Sequence, residues 1–172
     1  AELQSNAPPM GWNFVKRRMA NELGKEWDKN FLFFSKEASK AASLGQVHKA
    51  KLKNKNIVAC KLQYPDMESA IKADLNQLNI IFSIYQSYNK AIKTEEIYKE
   101  VNERLIEELD YIREKKSMLI FKTIFLKKKY VHIPKVYENL STKRLLTMSW
   151  LKGKHVLDFR SQSLETRNNI AK

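Results

Sequence analysis

The 172-residue chain has a single cysteine, Cys60. That excludes an internal disulfide framework and any multi-cysteine metal site, suits a reducing compartment, and leaves Cys60 as a small core residue. No apolar run approaches the roughly 20 residues needed to span a bilayer, since Leu78 to Tyr85 is broken by Asn79 and Ser83. Residues Ala1 to Pro9 lack the basic start and apolar run of a secretory signal, and also an initiator methionine; a processed or excised segment is expected. Acidic side chains are outnumbered 19 to 32, giving a net charge of +13. Such a field attracts phosphates, anionic headgroups or nucleic acid without choosing among them. The runs Lys51 to Lys55 and Lys127 to Lys129 are short enough to be solvated loops. His48, His132 and His155 lie far apart, outside any metal-ligand spacing, and read as structural.

What is present supports one core, with 43% apolar residues, and so one domain or part of one. After Pro8-Pro9, the positions Phe14, Val15, Met19 and Leu23 recur at helical spacing, and Gly24 is placed to stop the helix. From Phe31 the texture changes to short segments suited to a small antiparallel sheet of about five strands. Gln46 to Leu52 and Ile57 to Gln63 flank the polar connection Lys53-Asn54-Lys55-Asn56 as a hairpin. Asp66 is placed to cap a helix with the stripe Ile71, Leu75, Leu78, Phe82 and Tyr85. A second helix starts near Thr94 and is expected to run to about Phe121, burying Ile97, Val101, Leu105, Leu109 and Ile112. Val131 to Leu140 and Leu145 to Trp150 look like two more strands around a turn.

The segment Lys40-Ala41-Ala42-Ser43-Leu44-Gly45-Gln46-Val47 has the length and ending of a kinase phosphate loop, G-x-G-x-x-G-x-V, with only the last glycine and the valine kept. Small residues there let backbone N–H groups approach phosphate oxygens. Val58-Ala59-Cys60-Lys61 is close to the kinase V-A-I-K strand, and alternation puts Ala59 and Lys61 on one face. A lysine ending an apolar strand commonly snorkels to solvent; the hairpin joining this strand to Gly45 favours a phosphate-facing lysine instead. Such a lysine needs a carboxylate partner. Glu107, Glu108, Asp110 and Glu114 compete for that role, or decorate a solvated helix face.

Four segments in order resemble the UbiB or aarF-domain kinase-like proteins: residues 41–48 (AASLGQVH), 59–65 (ACKLQYP), 107–114 (EELDYIRE) and 146–153 (LTMSWLKG). In that family an alanine-rich loop replaces the glycine-rich one; Lys40 departs from the usual alanine. The resemblance implies an α+β fold, a protein-kinase-like upper lobe with a small antiparallel sheet, a long αC-type helix and an extra helical insertion, the lower lobe being absent. It implies that Lys61 is the nucleotide lysine, Glu114 its helix partner, and Glu108 with Asp110 the family's E-x-D pair. Lys40, Ala41, Ala42, Ser43, Gly45, Val47 and Ala59 would line the nucleotide, with Met148 and Trp150 in the last strand and hinge beside adenine.

The K-x-G-Q helix of the family does not occur in these residues, nor does a catalytic aspartate and asparagine loop or a metal-binding D-F-G. Asp158-Phe159-Arg160 lies too close to the hinge glycine Gly153 to be the last, and Asp158 reads as a helix-start or linker residue. The expected organisation is an N-terminal helical extension over 1–36, a kinase-like lobe over 37–156 with its insertion at 66–90, and a truncated post-hinge segment over 157–172. The implied function is ATP or ADP binding within an atypical kinase or ATPase linked to ubiquinone biosynthesis, as a fragment inactive alone. Mg²⁺ is expected only together with the lower lobe. Expected partners are nucleotide, a separate lower-lobe polypeptide and a membrane surface, but not nucleic acid; the expected location is cytoplasmic, at the inner face of a membrane. The alternative from another class is a basic module binding a membrane surface or nucleic acid, resting on charge and on exposed aromatics such as Trp12 and Trp27.

Overall fold

The computed structural model describes residues 9–88 and 94–171. Parts of the expected extension (1–8), insertion (89–90) and final segment (172) lie outside the described residues. Helix α1 (Trp12–Leu23) turns Val15 and Met19 inward. Gly24 ends it at φ 87°, in the left-handed region that only glycine enters cheaply, and its N–H donates to the Ala20 carbonyl at 2.9 Å.

Five strands form one antiparallel sheet: β1 (Phe31–Phe34), β2 (Lys40–Ala42), β3 (Gly45–Leu52), β4 (Ile57–Gln63) and β5 (Leu145–Ser149). The spatial order is β1-β3-β4-β5, with β2 also paired to β3. β2 meets residues 45–47 and β1 residues 50–52, so the two share one edge of β3 end to end. The β3–β4 hairpin turns through Lys55 at φ 67°, whose N–H donates to the Leu52 carbonyl, while the Asn54 side chain accepts from the Asn56 amide.

Strand alternation gives the sheet two chemically different faces. One carries Ala50, Leu52, Val58, Cys60, Leu62 and Leu145, which pack with Val15, Met19, Trp27 and Phe31 into the main core. At 1.5–3 kcal/mol for each large side chain fully buried, roughly, α1 is a structural lid on this face. The aromatics expected at the surface belong to this core instead: Trp27 is 8% exposed, packed against Trp12, Phe31 and Phe34 at centroid distances of 6.3, 6.0 and 5.2 Å. Cys60 is fully buried there, and desolvation pushes its thiol up to about 12, so it packs without reacting.

Helix α4 (Tyr111–Ile124) packs on β5 at the second face, and helices α2 (Met67–Tyr88) and α3 (Thr94–Glu108) pack against each other beside it. The single helix expected from Thr94 to Phe121 is in fact two. Asp110 breaks it: its backbone is extended (φ −104°, ψ 91°) and its carboxylate accepts from the amides of Ile112 at 2.9 Å and Arg113 at 3.3 Å. A side chain that satisfies orphan amides this way starts a new helix rather than continuing one. The break rotates the stripe. Leu109 and Tyr111 are buried, whereas Ile97 and Ile112 are exposed. In α2 the inward positions Ile71 and Leu75 pack against Leu109, but Tyr85 faces solvent. Asp66 precedes α2 at φ 55°, not in the extended geometry of a capping residue.

Val131 to Leu140 is not a strand. Pro134 offers no N–H to a ladder, only Val136 bridges, to Met148, and Glu138–Leu140 is a 3₁₀ turn. Beyond β5, Asp158 stands in a 3₁₀ turn (Val156–Phe159), accepting from the His155 amide at 3.0 Å, before the short helix α5 (Leu164–Ala171).

Candidate functional site: a lysine–glutamate pair beside an alanine-rich hairpin

The core-facing positions of β3, β4 and β5 leave the alternate ones for the helical face. Register places Val47 opposite Lys61 and Lys61 opposite Leu146, with Lys49 opposite Ala59 and Ala59 opposite Met148. Val47, Lys49, Ala59, Lys61 and Met148 therefore form a common surface. Trp150 continues it: its N–H donates to the Ile57 carbonyl at 3.0 Å, and the Lys49 ammonium lies 5.3 Å over its ring.

The four carboxylates that compete in sequence take four separate positions. Glu114 receives the Lys61 ammonium, Nζ lying 2.9 Å from Oε1 and 2.7 Å from Oε2. Glu108 accepts from the Ser43 hydroxyl at 3.1 Å. Asp110 caps α4 and Glu107 pairs with Arg113 at 2.7 Å and Arg104 at 3.3 Å. Thus Lys61 joins Glu114 and Ser43 joins Glu108, while Asp110 acts on its own helix.

Two contacts fix the α3–α4 junction against the sheet. The Gln63 side-chain amide donates to the Leu109 carbonyl, and the Tyr111 N–H donates to the Lys143 carbonyl at 3.1 Å, just before β5. Glu114 lies three residues further, on the same helical face as Tyr111. The Tyr111 ring is buried, and Lys61 Nζ lies 4.7 Å from its centroid. Burial first, then the charges of Glu114 and Glu108, push the Tyr111 phenol well above its ordinary value. Sequence reading missed Tyr111, Gln63 and Lys49 as parts of this surface; the spacing of Tyr111 from Glu114 is the signal that could have found the first.

The alanine-rich segment is a tight hairpin. Lys40 pairs with Val47, Ala41 with Gln46 and Ala42 with Gly45, and Ser43-Leu44 make the turn. Gly45 is required where it stands: a Cβ there would meet the Leu62 carbonyl oxygen at 2.1 Å. Lys40 and Ser43 are exposed, Ala41 and Ala42 half-buried. A cavity of 380 Å³ lined by Lys40, Ala41, Gln46 and Tyr64, among others, borders the hairpin, and the Tyr64 hydroxyl is buried without a hydrogen-bond partner. Larger hollows of 480 and 660 Å³ lie elsewhere, beside Arg17, Arg18 and Lys72 in one case and Lys53, Tyr137 and Glu138 in the other.

Chemically, Lys61 uses two of its three N–H groups on Glu114 and keeps one free to approach an anion. The pair is partly open, with side chains 21% and 37% exposed. Its contribution to stability is therefore at most about 1 kcal/mol. Among the described residues, no group of three or more His, Cys, Asp or Glu side chains is arranged to hold a metal ion, and no helix is long and apolar enough to cross a membrane.

A solved structure shares this architecture, and curated proteins are similar in sequence. A solved structure, the Rv3197–erythromycin complex from Mycobacterium tuberculosis, superposes with a TM-score of 0.83 at 27% identity, over 95% of this chain and 41% of that one. The mitochondrial atypical kinase COQ8 of Saccharomyces cerevisiae is 29% identical over 171 residues, which cover 99% of this chain and 34% of COQ8. The probable serine/threonine-protein kinase abkB of Dictyostelium discoideum is 34% identical over 154 residues, covering 87% of this chain and 23% of the relative. The chain thus spans about a third or less of the length of these curated relatives. The sheet, the helical face and the partial coverage together fit the upper lobe of a kinase-like fold. The ABC1 atypical kinase-like domain matches residues 2–172, and the chain belongs to that family.

Proposed function

We propose that this chain is the nucleotide-binding upper lobe of an ABC1-type atypical kinase or ATPase, in which Lys61 holds the phosphates of ATP or ADP. The observation that carries the reading is the Lys61–Glu114 pair, 2.7 Å apart on the sheet face next to the Ala41-Ala42-Ser43 turn. Glu114 aims the Lys61 ammonium, whose remaining N–H meets a phosphate oxygen. The amides of the hairpin orient the phosphates, while Ala59, Met148 and Trp150 supply apolar surface for the base. The Lys61 ammonium beside the small residues of the hairpin fits a polyphosphate in charge. The Glu108 carboxylate beside Ser43 opposes that anion; Mg²⁺, expected only together with the lower lobe, would supply the screening charge.

Phosphoryl transfer needs positioned metal ligands and a residue that orients the nucleophile. In this proposal both come from a lower lobe outside these 172 residues, so the chain alone binds nucleotide weakly and does not turn it over. The parts we assign are an N-terminal extension (1–36), whose end supplies strand β1 to the lobe's sheet, the lobe proper (37–156) with its insertion (66–90), and a post-hinge segment (157–172). Kinship with COQ8 supports a link to ubiquinone biosynthesis; the lower lobe and a membrane surface are the partners in this proposal.

Titration of ATP and an Mg²⁺-dependent turnover assay test the reading. Expected are weak binding, weakened further by Lys61→Ala, no sustained hydrolysis, and a gain in affinity when a polypeptide matching the rest of the relatives' length is added. Tight binding indifferent to Lys61→Ala, or hydrolysis by the chain alone that Lys61→Ala abolishes, would overturn it.

A further inference from the structure

Lys61 has a second neighbour besides Glu114. Its ammonium lies 4.7 Å from the centroid of the Tyr111 ring, within the range where the negative face of an aromatic attracts a cation. Tyr111 is 2% exposed, so this ring cannot swing away as a surface tyrosine could. It is held from three sides. Its own N–H is bound to the Lys143 carbonyl at 3.1 Å, and the Asp110 cap fixes the helix start at that residue. Leu109, two residues earlier, has its carbonyl bound by the Gln63 side chain from β4, the strand that carries Lys61. The ring and the lysine are thus placed by the same two elements.

We infer that Tyr111 is a positioning residue that fixes the Lys61 ammonium between its ring and the Glu114 carboxylate, so that the lysine's third N–H points at the phosphate position. The inference rests on the proposed nucleotide binding for its functional consequence, but not for its geometry. A four-carbon lysine stem has many rotamers, and freezing them costs free energy at the moment of binding. Glu114 is itself partly exposed and on a flexible side chain, so the ion pair alone leaves the lysine several arrangements. A buried, rigid ring removes most of them before the ligand arrives. The effect depends on the ring face and not on the phenol oxygen, so phenylalanine should replace tyrosine and leucine should not.

The test uses the 172-residue chain labelled with ¹³C at lysine Cε, with the Lys61 signal identified by its loss in Lys61→Arg. In the wild-type chain and in Tyr111→Phe, the Lys61 Hε resonances should lie upfield of the other lysines, shifted by the ring current. In Tyr111→Leu they should rejoin the others. The ATP concentration for half-saturation, read from the same spectra, should be unchanged in Tyr111→Phe and rise about fivefold in Tyr111→Leu, the effect of losing one partly desolvated cation–π contact. A Lys61 signal without upfield shift in the wild-type chain overturns the inference whether or not the leucine variant folds. So does equal loss of affinity in the phenylalanine and leucine variants. If ATP moves no lysine signal in any variant, the nucleotide reading fails, while the ring-current shift still decides the placement of Lys61.

Discussion

At the residue scale, His48 links local burial to a measurable pH response. It is fully buried on β3, with Nδ1 against the Ser35 carbonyl at 2.8 Å and Nε2 against the Gln46 side-chain nitrogen at 2.7 Å. Gln46 in turn accepts from the Met10 N–H at 2.7 Å. The two partners settle the tautomer: the proton sits on Nδ1 and Nε2 accepts, which leaves no place for a second proton. Burial lowers the His48 pKa, against the raising effect of the Ser35 carbonyl. Below its ordinary value of about 6.5 the unfolded chain then binds a proton that the folded chain refuses. Stability is therefore complete above about pH 6.5 and falls as pH drops from there toward the folded-state value, by up to roughly 1.4 kcal/mol per pH unit. Urea midpoints measured between pH 7.5 and pH 5 should show this slope in the native chain and lose it in His48→Gln. A His48→Gln chain with the same slope would place the titrating group elsewhere.

At the scale of elements, the junction between α3 and α4 decides which carboxylate can reach Lys61. Had the chain run on as one helix, Glu107, Glu108 and Glu114 would have been spread along one continuous spiral. The cap at Asp110 resets the rotation, so that Glu108 ends one helix near Ser43 while Glu114 stands one turn into the next. Asp110→Ala should cost about 1 kcal/mol, read as a lower urea midpoint, whereas Asp110→Asn should retain most of the stability because asparagine caps equally well. Equal destabilisation by the two substitutions would mean that the charge of Asp110, not its capping geometry, matters to the fold.

At the scale of the whole molecule, the net charge of +13 draws any polyanion. Attraction by the overall field and recognition at a built site respond differently to salt and to substitution. Between about 50 and 300 mM salt the screening length shortens to a few ångströms, which erases the long-range part first. ATP binding at Lys61 should weaken with salt yet remain sensitive to Lys61→Ala at the higher concentration, and tripolyphosphate should bind more weakly than ATP because it lacks a base for Ala59, Met148 and Trp150. Equal binding of the two anions, indifferent to Lys61→Ala, would favour a merely basic surface. That alternative has already lost one support, since Trp27 is part of the core and Trp12 packs against it.

Much of the molecule was legible in the sequence because it rests on local rules. The α1 stripe with its Gly24 stop, the β3–β4 hairpin and the shared face of Ala59 and Lys61 follow from periodicity and turn chemistry over a few residues. The four family segments, being contiguous, could be matched as strings. What sequence left open was always a contest between equals: four carboxylates within eight residues, each able to pair with Lys61. The family resemblance named Glu114 as the Lys61 partner and Glu108 with Asp110 as a pair; what each carboxylate touches was decided by the tertiary structure, because it depends on the rotation at Asp110 and on how Gln63 and Lys143 dock that junction to the sheet. The same holds for Val131 to Leu140, whose strand-like composition lost to the missing N–H of Pro134, and for Tyr111, whose place beside Lys61 arises from elements 50 residues apart in the chain.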